Sequence, residues 1–254
     1  MKDQSLNNFR TKLETYVLGC FSKTTDPALI EAMGFAKMDF VILDMEHGPI
    51  GIENIRSHIT AAENAGVLPI VRVPNHESEY IGRVLDLGAA GIQVPSVQDP
   101  EQAREIVAKS KFHPHGNRGL CRFVRAANYA VMDRNDYLRS ANENLVILQV
   151  EGIEGLKNFK QIIDVEGVDI VFIGPYDLSQ AMGIPGKIED PALVNEMEKL
   201  INDADKHKVV LGTFCDTPGQ LLHWKRLGVK YLAYSVDINI FVEGLNSIKS
   251  NLKA

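Results

Sequence analysis

The feature that most constrains the fold of this chain is the alternation of eight short apolar runs with helical patterns. The runs are too short for helices and rich in Val and Ile, which is typical of buried parallel strands. They occupy residues 16–21, 40–45, 69–73, 91–95, 145–150, 169–173, 209–214 and 231–236. Helical periodicity fills most of the intervals, at residues 26–34, 52–65, 77–87, 99–110, 156–164, 191–207 and 218–227, and again after the last run at 239–252.

Eight strand and helix repeats within 254 residues predict an α/β fold, the closed (β/α)8 TIM barrel. A doubly wound open sheet is the alternative, but no GxGxxG follows the first run. Because no linker or shift in composition interrupts the pattern, we predict one domain covering residues 1–254.

Composition narrows the possible functions. The net charge of −6 and the pI of about 5.7 disfavour nucleic-acid binding. Cys20, Cys121 and Cys215 are far apart and without CxxC spacing, which favours a reducing compartment over a disulfide framework. The first residues lack the apolar core of a signal peptide, and no stretch approaches 18 apolar residues. We therefore expect a cytoplasmic protein that does not span a membrane.

Polar side chains follow several predicted strands at the point where each strand ends. His47 follows the second strand, Arg72 lies in the third, Gln149 and Glu151 end the fifth, and Asp177 follows the sixth. The carboxyl ends of barrel strands are where catalytic residues gather. Two carboxylates on neighbouring strands, beside amide and backbone donors, suit a hard divalent cation that keeps open positions for substrate.

Each of these side chains also has a structural interpretation. His47, beside Glu46, is either a structural histidine or a general base. Arg72 is either part of an ion pair under the barrel rim or a clamp on a carboxylate or oxyanion. We favour the clamp, because several acids would otherwise make the site strongly anionic. None of the predicted strands contains a lysine, which disfavours Schiff-base chemistry and favours carbonyl activation by a metal.

The spacing of the repeats breaks once, between the fourth and fifth strands. The excess lies at residues 111–134. Because it follows the fourth strand, we expect it over the catalytic face, where barrel enzymes keep their functional loops.

The motifs at the strand ends resemble those of the HpcH/HpaI class II aldolases, which are metal-dependent pyruvate aldolases. The resemblance extends from about Gly19 to Phe241. The matching motifs are LDMEHG at 43–48, VRVP at 71–74, LDLGAAGIQVP at 85–95, GNRG at 116–119, QVEG at 149–152 and GVDIVFIGPYDLS at 167–179.

The resemblance implies a metal centre and a donor site. Glu151 and Asp177 would ligate the divalent ion, with Mg²⁺ expected and Mn²⁺ or Co²⁺ as alternatives. A 2-oxo acid donor would chelate that ion and be held by Gln149 and by the chain at Tyr176 and Asp177.

The resemblance also implies the catalytic groups. Arg72 would stabilise the enolate oxygen, and His47 would accept the proton, with Asp86 raising its basicity. Such groups stabilise charge that develops only in the transition state. The predicted reaction is reversible cleavage of a 4-hydroxy-2-oxo acid, a 3-deoxy sugar acid or a dicarboxylate, to pyruvate and an aldehyde.

Asp86 raises a geometric problem, because the pattern places it in a helix near the opposite end of the barrel from His47. We expect it to reach the catalytic face of a neighbouring subunit instead. The resemblance implies a homohexamer with the C-terminal helix exchanged between subunits, which is compatible with this expectation.

Two residues depart from the family pattern. Gly152 stands where threonine is common, and Tyr176 stands where a small residue is common. Tyr176 would narrow the pocket or add a hydroxyl donor. Two other functions stay open: an oxaloacetate decarboxylase or enolate-transferring synthase on the same fold, and a scaffold with lost catalysis. Retention of His47, Arg72, Glu151 and Asp177 disfavours the scaffold.

Overall fold

The computed structural model describes residues 2–77 and 79–252, and its centre is a closed barrel of eight parallel strands. The strands are β1 (Val17–Ser22), β2 (Phe40–Asp44), β3 (Leu68–Arg72), β4 (Gly91–Val94), β5 (Leu145–Val150), β6 (Ile170–Ile173), β7 (Val210–Cys215) and β8 (Tyr231–Val236). The predicted TIM barrel is confirmed. The first and last residues of every predicted strand lie within one residue of those observed. Residues 1, 253 and 254 of the predicted domain, and Ser78 of the predicted helix 77–87, lie outside the described residues.

Helices alternate with the strands and surround the barrel. They are α1 (Lys2–Lys12), α2 (Ala28–Phe35), α3 (Ile52–Ala65), α4 (Tyr80–Asp86), α5 (Pro100–Ser110), α6 (Arg134–Asn142), α7 (Ile153–Lys157), α8 (Phe159–Ile163), α9 (Pro175–Ala181), α10 (Pro191–His207), α11 (Pro218–Arg226) and α12 (Asp237–Asn251). The predicted helix 156–164 is two short helices, because Asn158 leaves helical geometry (ψ 4°) and its amide donates to the Gln98 carbonyl at 2.9 Å.

The barrel interior is a separate apolar core that α1 closes from the amino-terminal end. Leu6, Phe9 and Leu13 from this end of the chain are buried in it. Phe9 meets the rings of Phe40 and Tyr231 edge-on, and those two rings stack with centroids 4.1 Å apart. This aromatic plug leaves the carboxyl ends of the strands as the face on which polar side chains collect.

Strand register sets which polar residues share a level in the barrel. Asp44 pairs with Arg72 across β2 and β3, and Arg72 pairs with Gln93 across β3 and β4. Gln149 pairs with Phe172 near the carboxyl ends of β5 and β6. The side chains predicted from strand ends are therefore brought to one mouth of the barrel.

The predicted position of residues 111–134 is wrong. The extra length follows α5 rather than β4, so it lies at the amino-terminal end of the barrel. There Lys111 Nζ donates to the Asn142 carbonyl at 2.7 Å, just before β5, and Arg125 donates to the Leu87 carbonyl at 3.1 Å, just after α4. The spacing correctly predicts an insertion between β4 and β5, but the inserted residues follow α5 rather than β4.

Candidate active site

One half of the site is an ion-pair cluster on β2 and β3. Arg72 donates from Nε and Nη2 to the buried carboxylate of Asp44 at 2.8 and 2.7 Å, and its Nη1 lies 2.9 Å from Glu46 Oε2. Two of the five guanidinium N–H groups donate to Asp44, whereas the contact of Nη1 with Glu46 is an ion pair without a hydrogen bond, so Arg72 keeps N–H groups for an oxyanion. The ring of Phe21 lies under the guanidinium, 4.8 Å from its carbon. Arg72 is thus held rigidly at the predicted place.

His47 lies at the rim of the same cluster. Its side chain is 58% exposed, and Nε2 is 3.8 Å from Glu46 Oε2. The backbone N–H groups of Glu46 and His47 donate to Asp44 Oδ1 at 3.0 and 3.2 Å, which shapes the turn after β2. An imidazole on a fixed turn, open to solvent and beside an acid, is accessible to a substrate proton.

The other half of the site is the carboxylate of Glu151, which we call framed because neighbouring groups donate hydrogen bonds to both of its oxygens. Ser96 donates to Glu151 Oε1 from its backbone N at 2.9 Å and from its hydroxyl at 3.0 Å. Gln149 donates to Oε2, and Gln93 donates to Gln149 at 2.8 Å. Ser96 has φ 56°, a left-handed conformation that a non-glycine residue adopts only under constraint. Gln149, predicted to bind substrate, here positions Glu151.

Electrostatics separate the acids of the site. Burial would raise the pKa of Asp44, but the hydrogen bonds and charge of Arg72 hold it below its usual range. Burial raises the pKa of Glu46 despite the charge of Arg72. Burial raises the pKa of Glu151 to about 7; hydrogen bonds from Gln149 and Ser96 oppose the rise, and the charges of Asp177 and Glu46 add to it. Burial and the nearby acids therefore disfavour the ionised form of Glu151 unless a cation balances its charge.

Asp177 and Tyr176 open α9 at the end of β6. Asp177 is exposed in the first turn of the helix, close enough to Glu151 and Glu46 for its charge to raise both pKa values. Tyr176 donates its hydroxyl to Asp216 Oδ2 at 2.5 Å and packs edge-on to Phe214. Burial and this bond raise the pKa of Tyr176 to about 12. Because its hydroxyl already donates to Asp216, Tyr176 lines the side of the barrel mouth without offering that proton to a ligand.

Asp86 is the one predicted site residue that the structure does not bring to the mouth. It is the last residue of α4, at the amino-terminal end, and Arg118 pairs with it at 2.5 Å. This agrees with the expectation that Asp86 does not serve His47 of its own chain. Its contribution to a neighbouring subunit stays a prediction.

Several residues of the site had no role in the sequence interpretation. Ser96 reaches Glu151 through a left-handed backbone conformation, which the sequence pattern does not predict. Asp44 was visible in the LDMEHG motif, and Asp216 follows β7 as other polar residues follow their strands. Lys23, whose Nζ lies 3.5 Å from Asp44 Oδ2, directly follows β1 and lies outside the predicted strand.

A closed parallel barrel whose carboxyl ends gather a fixed arginine, a histidine and a framed carboxylate defines a TIM-barrel enzyme. The sequence profile of the HpcH/HpaI aldolase/citrate lyase family matches residues 17–243, and the chain belongs to this family. The predicted family and the predicted aldolase-type carbon–carbon lyase are confirmed. Aldolases of this family depend on a divalent metal ion and act on small molecules.

Relatives of the chain agree with this assignment. It is 30% identical over 250 residues to the 5-keto-4-deoxy-D-glucarate aldolase of Shigella boydii, covering 97% of this chain and 96% of that one. A family protein from Burkholderia cenocepacia has a TM-score of 0.92 at 27% identity, covering 98% and 100% of the two chains. The citrate synthase SbnG has a TM-score of 0.85 at 31% identity, covering 98% and 96%. No helix among residues 2–77 and 79–252 is long and apolar enough to cross a membrane.

Proposed function

We propose that this protein is a metal-dependent class II aldolase that cleaves a 4-hydroxy-2-oxo acid to pyruvate and an aldehyde. The observation that carries the proposal is the framing of Glu151. A carboxylate only 5% exposed is held by Ser96 and Gln149, and the charge of a second carboxylate, Asp177, acts on it. A structural ion pair needs no such frame, whereas a ligand to a cation does.

The chemistry of these residues fits a divalent ion, which we propose to be Mg²⁺, with Mn²⁺ or Co²⁺ as substitutes. Burial and neighbouring acids raise the pKa of Glu151 to about 7, a cost that a bound cation offsets. Among the described residues no three His, Cys, Asp or Glu side chains form a ligand cluster. Two carboxylates, Glu151 and Asp177, leave coordination positions for substrate and water, as Mg²⁺ prefers. When bound, the ion supplies Lewis-acid stabilisation of the charge that develops on the substrate's keto oxygen.

The chain's own groups would handle the protons and the oxyanion. In cleavage, His47 accepts the proton of the 4-hydroxyl while the bond between C3 and C4 breaks, and its electrons form the enolate of pyruvate. The uncommitted N–H groups of Arg72 bind the enolate oxygen. The aldehyde leaves, and protonation at C3 gives pyruvate. Gln149, Tyr176 and Asp177 delimit the donor pocket.

We further propose a cytoplasmic homohexamer in which α12 is exchanged between subunits and Asp86 completes the site of a neighbour. Helix α12 supports this, because it exposes apolar side chains along its length: Ile238, Phe241, Val242, Leu245 and Ile248. A water-exposed helix face of this kind is typical of one that packs on another subunit. The free thiols of Cys20, Cys121 and Cys215 fit a reducing compartment.

A second function has specific support. The identity of 31% to the citrate synthase SbnG, over 98% of this chain, favours an enolate-transferring synthase or an oxaloacetate decarboxylase as the alternative. The same donor chemistry would serve, with oxaloacetate as the source of the enolate.

The test is pyruvate release from a panel of 4-hydroxy-2-oxo acids and oxaloacetate, after chelation and with Mg²⁺, Mn²⁺ or Co²⁺ restored. Metal-dependent release from a hydroxy-oxo acid, lost in Glu151→Ala, is the expected result. Release from oxaloacetate alone would replace the aldolase with the alternative. Release that survives chelation would overturn the proposed metal dependence.

A further inference from the structure

We propose that Gln93 is a positioning residue for Glu151, the proposed metal ligand, on which it acts through the amide group of Gln149. The three side chains form a chain of hydrogen bonds that runs from β4 to the residue that follows β5. This inference rests on the proposed metal-dependent function and deepens it by assigning a further residue to the same site.

The hydrogen bonds of this chain all point toward Glu151. Gln93 Nε2 donates to Gln149 Oε1 at 2.8 Å, and Gln149 Nε2 donates in turn to Glu151 Oε2. An ionised carboxylate only accepts hydrogen bonds, so it requires the amide nitrogen of Gln149 on its side. The amide oxygen of Gln149 then faces β4, where the nitrogen of Gln93 meets it. The charge at one end therefore fixes the orientation of both amides.

Burial makes Gln149 depend on Gln93. The exposed fraction is 0% for Gln93, 2% for Gln149 and 5% for Glu151. If Gln93 lost its amide, the oxygen of Gln149 would be a buried acceptor without a donor, which costs free energy of folding. Gln149 would relieve that cost by turning its oxygen toward solvent, and its bond to Glu151 would break. The carboxylate would then be held on the Ser96 side alone.

The stability of the fold does not explain an amide at position 93. Gln93 Oε1 is buried and has no hydrogen-bond partner among the described residues. Arg72, its register partner on β3, donates to Asp44 instead. A buried acceptor without a partner costs free energy of folding, and an apolar side chain would not carry this unpaired oxygen. The bond to Gln149 is the contact that only an amide supplies here.

A purely structural role for Gln93 is to join β4 to β5. The backbone already does this, because Gln93 pairs with Ile147 in the parallel ladder and the Val97 N–H donates to the Gln149 carbonyl at 2.9 Å. The two roles differ in what they affect. A strand link changes unfolding, whether or not position 149 carries an amide. Positioning changes the affinity for a cation, and it has no effect once the amide of Gln149 is gone.

The experiment measures Mn²⁺ affinity by calorimetry in a double-mutant cycle of Gln93→Met and Gln149→Met. Methionine is close to glutamine in length and lacks the amide. At pH 8 Glu151 is mostly ionised, because burial raises its pKa only to about 7. Tyr231→Phe is the matched control, since it also removes a buried oxygen without a partner from the barrel interior, but one packed among apolar side chains. Unfolding in urea checks that each variant is folded, and Gln93→Leu replaces Gln93→Met if that variant is not.

We expect Gln93→Met to weaken Mn²⁺ binding by about tenfold, the lower end of the effect of removing an outer partner of a metal ligand. Gln149→Met should weaken it at least as much. The double variant should bind within about twofold of Gln149→Met, because Gln93 acts only through that amide. Tyr231→Phe should bind as the wild type does. Wild-type affinity in a folded Gln93→Met protein, or losses that add in the double variant, would overturn the proposal.

Pyruvate release from the panel of 4-hydroxy-2-oxo acids separates the failure of this proposal from that of the proposed function. A wild type that binds Mn²⁺ but releases no pyruvate overturns the aldolase function, while the binding cycle still decides the role of Gln93. Metal-dependent release by the wild type, with additive losses in the cycle, overturns only the role of Gln93. A wild type that does not bind Mn²⁺ overturns both.

Discussion

Replacing Gly174 by alanine is a direct perturbation of the framed carboxylate. Gly174 directly follows β6 and lies beside Glu151. A Cβ atom there would overlap Glu151 Oε2 and lie 3.2 Å from Glu151 Cβ and 3.3 Å from Gln149 Nε2. The backbone of Gly174, with φ −84° and ψ 99°, accepts alanine without strain. The substitution therefore acts on the carboxylate and not on the main chain.

The magnitude follows from the overlap. Glu151 must move by about 1 Å to restore van der Waals contact, and this movement breaks its alignment with Ser96 and Gln149. A misplacement of about 1 Å in a positioned catalytic site costs roughly 100-fold in rate. That is about 2.7 kcal/mol of transition-state stabilisation. Fold stability should change by less than about 1 kcal/mol, because the moved group is the end of a side chain.

The assay compares Gly174→Ala with Gly152→Ala. Gly152 flanks the same glutamate, but a Cβ there meets no atom within 4 Å. Mn²⁺ affinity by calorimetry and the rate of pyruvate release are measured for both variants, with thermal unfolding as the check on folding. Gly174→Ala should lose roughly 100-fold in rate and weaken metal binding, and Gly152→Ala should stay close to the wild type. Wild-type metal affinity and rate in a folded Gly174→Ala protein would refute the assigned role of Glu151.

Three further predictions concern the scaffold. Tyr231 is fully buried, and its hydroxyl has no hydrogen-bond partner among the described residues. Tyr231→Phe should therefore raise the free energy of unfolding in urea by about 1 kcal/mol. A decrease of the free energy of unfolding by about 1 kcal/mol would contradict this prediction. Asp99→Ala should lower it by about 1 kcal/mol, because Asp99 caps α5 by accepting from the Gln102 N–H at 2.9 Å; Asp99→Asn should retain the cap. Burial raises the pKa of Cys20 and of Cys215 to about 12. At pH 8 their reactive thiolate fraction is then about 10⁻⁴, rising tenfold per pH unit. Iodoacetamide should therefore leave both unmodified in the folded protein and label them after unfolding in guanidinium, as read by mass spectrometry; rapid labelling of either in the folded chain would count against the packing described.

The barrel was predictable because its strands are continuous apolar runs that only a fully covered parallel sheet buries. Strand boundaries followed within one residue for the same reason. The helix break at Asn158 was not predictable, since it depends on a hydrogen bond to Gln98 in a distant loop. Helix α1 was also not predicted, because its sequence lacks a strong helical periodicity. Its contribution is to close the barrel end with Phe9.

The candidate site was predictable where a side chain lies at a strand end. Arg72, Glu151 and His47 came from that rule alone, and the strand order then places β2 beside β3 and leaves only β4 between β3 and β5. The rule does not reveal contacts that depend on backbone conformation, such as Ser96 on Glu151. Nor does it say which hydroxyl is already engaged, as that of Tyr176 is by Asp216.

We propose that Glu151 and a divalent ion together allow this chain to form the enolate of pyruvate. Exchange of the methyl protons of pyruvate for deuterium, followed by NMR in D₂O, measures that step without an aldehyde. We expect exchange with Mg²⁺, loss of exchange on chelation, recovery when Mg²⁺ returns, and no exchange in Glu151→Ala. Exchange that persists in the chelated enzyme, or in Glu151→Ala at the wild-type rate, would contradict it.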